Sequence, residues 1–172
     1  LELVDVGKII IPDAVTDEDG MLDEIVSAAE KHGTPLRRLD SDELFSVGNI
    51  ELALFAPGGK GDVNERCMMM RVSIGEFDMI VTGDAPQAAE RELIESHELL
   101  DAELLIAGHH GSKYSSSGEL LSAVGAETAV ISVGYNNYGH PTNETLERLR
   151  AYGYNVYRTD LNGNVEIRLP AE

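Results

Sequence analysis

Cationic side chains are scarce in this sequence: 13 Lys and Arg stand against 31 Asp and Glu, a net charge of −18 over 172 residues. A surface that acidic excludes DNA or anionic lipid gripped through broad phosphate neutralisation. It leaves room for a nucleic-acid enzyme, because a bound cation reverses the potential locally. The single cysteine, Cys67, excludes an internal disulfide and a cysteine-rich zinc site. Its apolar-leaning surroundings predict buried packing. No apolar run approaches the roughly 20 residues of a membrane helix. Internal repeats, low-complexity tracts and a long linker are missing as well. The opening LELVDVGKII has neither the basic region nor the cleavage site of a signal peptide. With no starting Met, it reads as a piece of something longer.

What is present predicts one soluble α/β domain over 1–172, with 42% apolar and 26% charged residues. The run 6–12 reads as a strand ended by Pro12. Residues 17–33 read as a helix with Met21, Leu22, Ile25, Val26 and Ala29 on one face and Gly33 closing it. Residues 44–57 and 67–84 each read as a strand pair, turning at Val47-Gly48-Asn49 and Gly75-Glu76. From there helices (86–96, 117–125, 142–153) alternate with buried strands (103–108, 128–134). Thr142, with Glu144 and Thr145 nearby, fits a helix start. The segments 155–160 and 163–169 predict a closing hairpin through Leu161-Asn162-Gly163. This order means mixed sheet with helices packed on it.

Three polar clusters follow apolar strands: Thr82-Gly83-Asp84, His109-His110-Gly111-Ser112 and Tyr138-Gly139-His140-Pro141. In sheets with helical crossovers, sites form at the carboxyl ends of strands. Asp84, at the mouth of a strand, is solvated, paired, bound to a metal or serving as a helix cap ahead of Pro86. His109 and His110 sit at a turn where both imidazoles can face one site, as metal ligands or as general acids. Gly111 leaves an N–H open to an anion, and Ser112 adds a hydroxyl. His140, between Gly139 and Pro141, is a ligand candidate on a rigid backbone. One carboxylate with two or three imidazoles makes a metal shell with open positions.

The following Lys113-Tyr114-Ser115-Ser116-Ser117 stretch has two readings. One is a helix N-cap region, with Ser116 or Ser117 as the cap; the other is a phosphate cradle of hydroxyls and one cation. Asn64 and Glu65 read as a capped loop, His32 and His97 as surface residues, and Met68-Met69-Met70 as core strand.

The blocks VTGDA, LLIAGHHGSKYSSS, AVISVGYNNYGHPTNETLERLRAYG and VYRTDLNGNVEI, in this order, resemble the C-terminal half of the metallo-β-lactamase-fold domain of the ComEC family of competence-type DNA-uptake channel proteins. The resemblance spans most of 44–169. It implies a partial αββα sandwich, with mixed sheets and helices outside, and a metal-dependent phosphodiesterase or nuclease using Zn or Mn, two ions in the intact domain. By resemblance Asp84, His109 and His140 are metal residues. His109 and His110 share metal ligation, phosphate contact and leaving-group protonation in an undivided way; with Ser112 they are catalytic candidates, and Lys113, Ser115 and Ser116 are candidates for substrate contact. The implied partners are DNA or a small phosphodiester, the membrane channel domain of the same parent chain, and a second copy. The implied parent is membrane-anchored.

The family's early motif, His-x-His/Asp-x-Asp-His-x-Gly-Gly, is missing from these residues. In the family it precedes the segment matching 1–12. The chain is therefore expected to start just after it, without most ligands of one metal and several of the other, and to be inactive alone. Two other readings compete with a nuclease domain. One is a non-catalytic lobe that docks on a channel or another chain; the other is a hydrolase of small phosphodiesters.

Overall fold

The apolar runs pair into two sheets in a computed structural model, which describes residues 3–16, 20–58, 64–97 and 100–169. The first sheet is a parallel pair, β1 (Ile9–Pro12) and β2 (Leu36–Leu39), joined through helix α1 (Met21–His32). Gly33 ends α1 in the left-handed region, its N–H donating to the carbonyls of Ala29 and Glu30. Of the expected apolar stripe, Leu22 and Ala29 are buried and Ile25 and Val26 half-buried, while Met21 is 62% exposed. The start expected at residue 17 falls on residues outside the described set.

The second sheet has seven strands: β3 (Glu43–Val47), β4 (Ile50–Phe55), β5 (Met69–Ile74), β6 (Phe77–Val81), β7 (Leu104–Ile106), β8 (Thr128–Ile131) and β9 (Asn155–Arg158), in that spatial order. Pairing is antiparallel from β3 to β6 and parallel from β6 to β9. The change falls where the connections become helical crossovers, since a parallel neighbour needs a crossover. Those crossovers carry α2 (Gln87–Ser96), α3 (Gly118–Val124) and α4 (Asn143–Ala151).

Register sorts the side chains onto two faces. Phe55, Met69, Ile80, Leu105, Ala129 and Ile131 share one face and meet Leu93 of α2, Leu120 and Leu121 of α3, and Leu149 of α4 in the main core. Leu54, Met70, Met79, Leu104 and Val130 occupy the other. The β1–β2 unit joins the large sheet through Arg66, which donates to the Ala14 carbonyl, through an Arg37–Glu43 ion pair, and through Lys8 above the Phe45 ring. The mixed α/β expectation thus holds, with a second sheet of only two strands among the described residues.

The closing hairpin does not form. The Thr159 hydroxyl accepts from the Val133 N–H and donates to the Val133 carbonyl, both at 2.7 Å, and the chain turns into the short helix α5 (Thr159–Asn162). Asn162 Oδ1 accepts the Arg158 N–H. Residues 163–169 then run on without regular structure.

Candidate functional site

The three polar clusters converge because β6, β7 and β8 are parallel neighbours, so their carboxyl ends lie side by side. Two backbone hydrogen bonds lock the loops together. His109 N–H donates to the Gly83 carbonyl at 2.9 Å, and Thr142 N–H donates to the Gly111 carbonyl at 3.0 Å. The second contact requires a glycine: a Cβ on Gly111 would lie 2.5 Å from Pro141 Cβ.

The histidine pair sits in a four-residue turn, Gly108–Gly111, with His109 at φ 48° and His110 at φ 54°. Left-handed backbone is uncommon away from glycine, and where it recurs it tends to mark a functional site. The His109 ring is half-buried and meets the His140 ring nearly edge-on, centroids 5.4 Å apart. The His110 ring is exposed, 6.4 Å from that of His109. Its Nδ1 lies 2.7 Å from the Ser132 carbonyl. A carbonyl only accepts, so Nδ1 carries the proton of the neutral ring and Nε2 is the nitrogen left free.

His140 is set by Asn136, whose Oδ1 accepts the His140 N–H at 3.1 Å while Nδ2 donates to the His140 carbonyl at 2.8 Å. Desolvation holds the His140 imidazole below the ordinary histidine range, nearby His109 and His110 add to the effect, and Asp84 opposes it. Neutral imidazole is the form that ligates a metal. Asp84 itself is half-buried beyond Gly83, and α2 begins at Pro86 without a side-chain cap.

The other sequence-predicted residues are placed differently. Ser112 is 2% exposed and its Oγ accepts the Tyr114 N–H. Ser115 and Ser116 are both fully buried: Ser115 Oγ donates to the Ala85 carbonyl at 2.7 Å, and Ser116 Oγ accepts the Gly108 N–H at 3.2 Å. Lys113 stays exposed, its ammonium 5.1 Å from the Tyr114 ring centre. Ser117 caps α3, accepting from the Leu120 N–H. Glu65 lines a small groove with Asp42, Glu92 and His97, which none of His109, His110 and His140 lines. His97 is half-buried there, its Nδ1 on the Leu93 carbonyl and its Nε2 on Asp42, both at 2.9 Å, so it is not the surface residue its position suggested.

Sequence reasoning missed Glu90, Arg148 and Asn136. Glu90 carried one signal, an acid three residues before Leu93 on the buried stripe of α2. Asn136 carried another, since Asn in a Gly-rich loop favours side-chain-to-backbone turns.

Asp84, His109 and His140 offer the carboxylate and imidazole donors that Zn²⁺ and Mn²⁺ take. Among the described residues, no three His, Cys, Asp or Glu side chains gather closely enough to hold an ion by themselves. The donor chemistry fits a metal, and the donor count is that of a partial shell.

No protein-family model matches the chain. It is 27% identical over 166 residues to ComE operon protein 3 of Bacillus subtilis, covering 95% of this chain and 21% of that protein. Competence protein ComA of Neisseria gonorrhoeae is 42% identical over 110 residues, 63% of this chain and 16% of its own length. Recombination protein 2 of Haemophilus influenzae is 36% identical over 109 residues, 63% and 14%. The chain therefore spans about a fifth or less of these relatives. Among solved structures, CmlA, a diiron beta-hydroxylase from Streptomyces venezuelae, superposes with a TM-score of 0.58 at 14% identity, over 91% of this chain and 39% of that one. Its E377D mutant gives 0.57. At that identity the likeness speaks for the fold, the metallo-β-lactamase type. With the block order and these matches together, the chain is similar to the ComEC-family competence proteins and has a metallo-β-lactamase-type α/β fold.

Proposed function

We propose that the chain carries part of the metal-dependent phosphodiesterase site of a competence-type nuclease, acting on DNA during uptake. The convergence of Asp84, His109, His110 and His140 on one end of the parallel strands is the observation that supports this reading. A divalent cation, held by Asp84, His109 and His140 with further ligands, would supply Lewis acidity and an ionised water. The remaining work belongs to side chains. His110, anchored through Nδ1 on Ser132, presents Nε2 at the open side, and in its imidazolium form it would give the Nε2 proton to the departing oxygen and return to the neutral ring. Lys113, an exposed cation three residues after His110, would steer the phosphate. Ser112, Ser115 and Ser116 shape the loop through their buried hydroxyls rather than reaching solvent.

The test is cleavage of a labelled oligonucleotide and of a small chromogenic phosphodiester, with Mn²⁺ or Zn²⁺, by this chain and by any longer gene product containing it. Asp84→Ala and His140→Ala should abolish cleavage and metal uptake. His110→Ala should lower turnover by about 10²–10⁴-fold while leaving metal uptake intact. Unchanged cleavage in the Asp84 and His140 variants sinks the site assignment, and preference for the chromogenic diester moves the reading to small substrates.

A non-catalytic docking lobe is the second reading, favoured by the lack of a three-ligand group among the described residues. It expects no stoichiometric metal by equilibrium dialysis, together with self-association or partner capture by light scattering. Tight metal binding by a monomer counts against it.

A further inference from the structure

The fold buries a carboxylate that the proposed chemistry does not use. Glu90 on α2 is 0% exposed, and its two oxygens accept the N–H groups of Ser116 at 2.6 Å and Ser117 at 2.8 Å. From the other side, Arg148 of α4 donates through Nη1 to the carbonyls of Ser115 and Ser116, at 2.9 and 2.8 Å, and through Nη2 to that of Lys113 at 3.3 Å. An acid and a base on two different helices thus grip the same five-residue segment by its backbone.

The grip is unnecessary for α3, whose first turn is already capped by the Ser117 hydroxyl. Its effect runs toward the histidines. Ser116 sits in the left-handed region at φ 53°, which turns its Oγ onto the Gly108 N–H, immediately before His109. On the far side of the pair, the Ser112 carbonyl accepts from the buried Thr145 hydroxyl of α4 at 2.9 Å. Three non-glycine residues in this stretch, His109, His110 and Ser116, have positive φ. Conformations of that kind persist only where the surroundings over-determine them. Burying a carboxylate is costly even when it is hydrogen-bonded, so the presence of Glu90 beside strained backbone asks for another account. Burial pushes the Glu90 carboxyl above its ordinary range, against the N–H groups of Ser117 and Ser116 and the Arg148 charge.

We propose that Glu90 and Arg148 are positioning residues that fix the backbone of the His109-His110 turn from behind, through Ser116 and Gly108. Neither touches the site. The catalytic side of this role rests on the functional reading above; the geometric side stands without it.

The experiment uses the 172-residue chain and reads the imidazole signals of His109 and His110 by NMR, with His32 as an internal reference. Glu90→Gln keeps the shape but turns an amide NH₂ against one of the two serine N–H groups. Ser116→Ala removes the acceptor for Gly108 and decides the matter if the first variant fails to fold. Tyr154→Phe is the control: it removes buried hydrogen bonds to Leu121 and Ala126 that lie outside the grip. The positioning role expects Glu90→Gln and Ser116→Ala to shift both imidazoles, with Tyr154→Phe leaving them in place. It also expects Zn²⁺ or Mn²⁺ affinity to fall by about 10- to 100-fold in the first two. If both variants lose stability as the control does and the imidazole signals do not move, the grip is structural support and the proposal fails. If the imidazoles shift and the wild-type chain binds no metal, positioning stands while the functional reading falls.

Discussion

Gly111→Ala tests how the site is assembled, because Gly111 is where the histidine turn lies against the His140 loop. Two penalties add. Gly111 has φ 84°, and an L-residue in left-handed backbone costs about 1–2 kcal/mol. The new Cβ would also stand 2.5 Å from Pro141 Cβ and 3.0 Å from Pro141 Cα. Relieving such overpacking costs about 1–3 kcal/mol. The loss is therefore about 2–5 kcal/mol. Gly139→Ala separates the two parts, since Gly139 has φ 78° but open space within 4 Å. It should lose only the backbone part. Equilibrium urea unfolding reads both variants, and an extra 2 kcal/mol moves the midpoint by about 1 M at an ordinary slope. The His140 imidazole signal should move in Gly111→Ala, where Pro141 must give way. Coincident midpoints for the two variants would mean that the loops do not approach as described.

Two further outcomes check the frame that carries the site. Leu105 is fully buried in β7, so Leu105→Ala should cost about 2–5 kcal/mol, against a few tenths for Leu44→Ala at a position 67% exposed; comparable midpoints would refute the core assignment. Asp78 on β6 is held below the ordinary carboxylate range chiefly by its hydrogen bond from Arg71, with burial opposing and Ser73 and the Arg71 charge assisting. A lowered folded pKa gives stability that is present above the unfolded pKa and lost as pH falls through the folded one. The advantage of wild type over Asp78→Asn should therefore shrink from about pH 5 downward, and a gap constant between neutral and strongly acidic urea titrations would refute the pairing.

The candidate site was legible because its residues sit where sequence pattern is strongest. A buried strand reads as an apolar run, and the polar residues just past MIVTG, LLIAG and AVISVG stand out against it. The helix starts at Thr142 and Ser117 were legible for the same local reason, a side-chain oxygen placed before an apolar stripe. What failed was decided by partners distant in sequence. Alternating Val165, Ile167 and Leu169 suggests a strand, but Thr159 binds Val133, 26 residues earlier, and the chain turns before a hairpin can pair. His97 looked like surface because nothing nearby announces Asp42, 55 residues away. The serines after His110 looked like a cradle because a hydroxyl's direction depends on φ, and positive φ at Ser116 is not written in its residue type.

The positive φ of His109 also explains why the three loops behave as one unit. A histidine continuing the β7 strand would alternate with its neighbour across the sheet, one ring to each face. The left-handed turn lets the His109 N–H reach back to Gly83 on the loop of Asp84 while its ring packs on His140. Gly111, two residues later, accepts from Thr142 at the start of α4. The same helix contributes Arg148 and Thr145 to the segment after the pair. Each loop is therefore fastened to the next by backbone atoms. In a chain carrying a charge of −18, that arrangement gathers three imidazoles and one carboxylate where a broad cationic surface is lacking. If the proposed function holds, such a cluster would attract a phosphate only after it had attracted a cation, so affinity for an anionic substrate should be conditional on the metal rather than built into the surface.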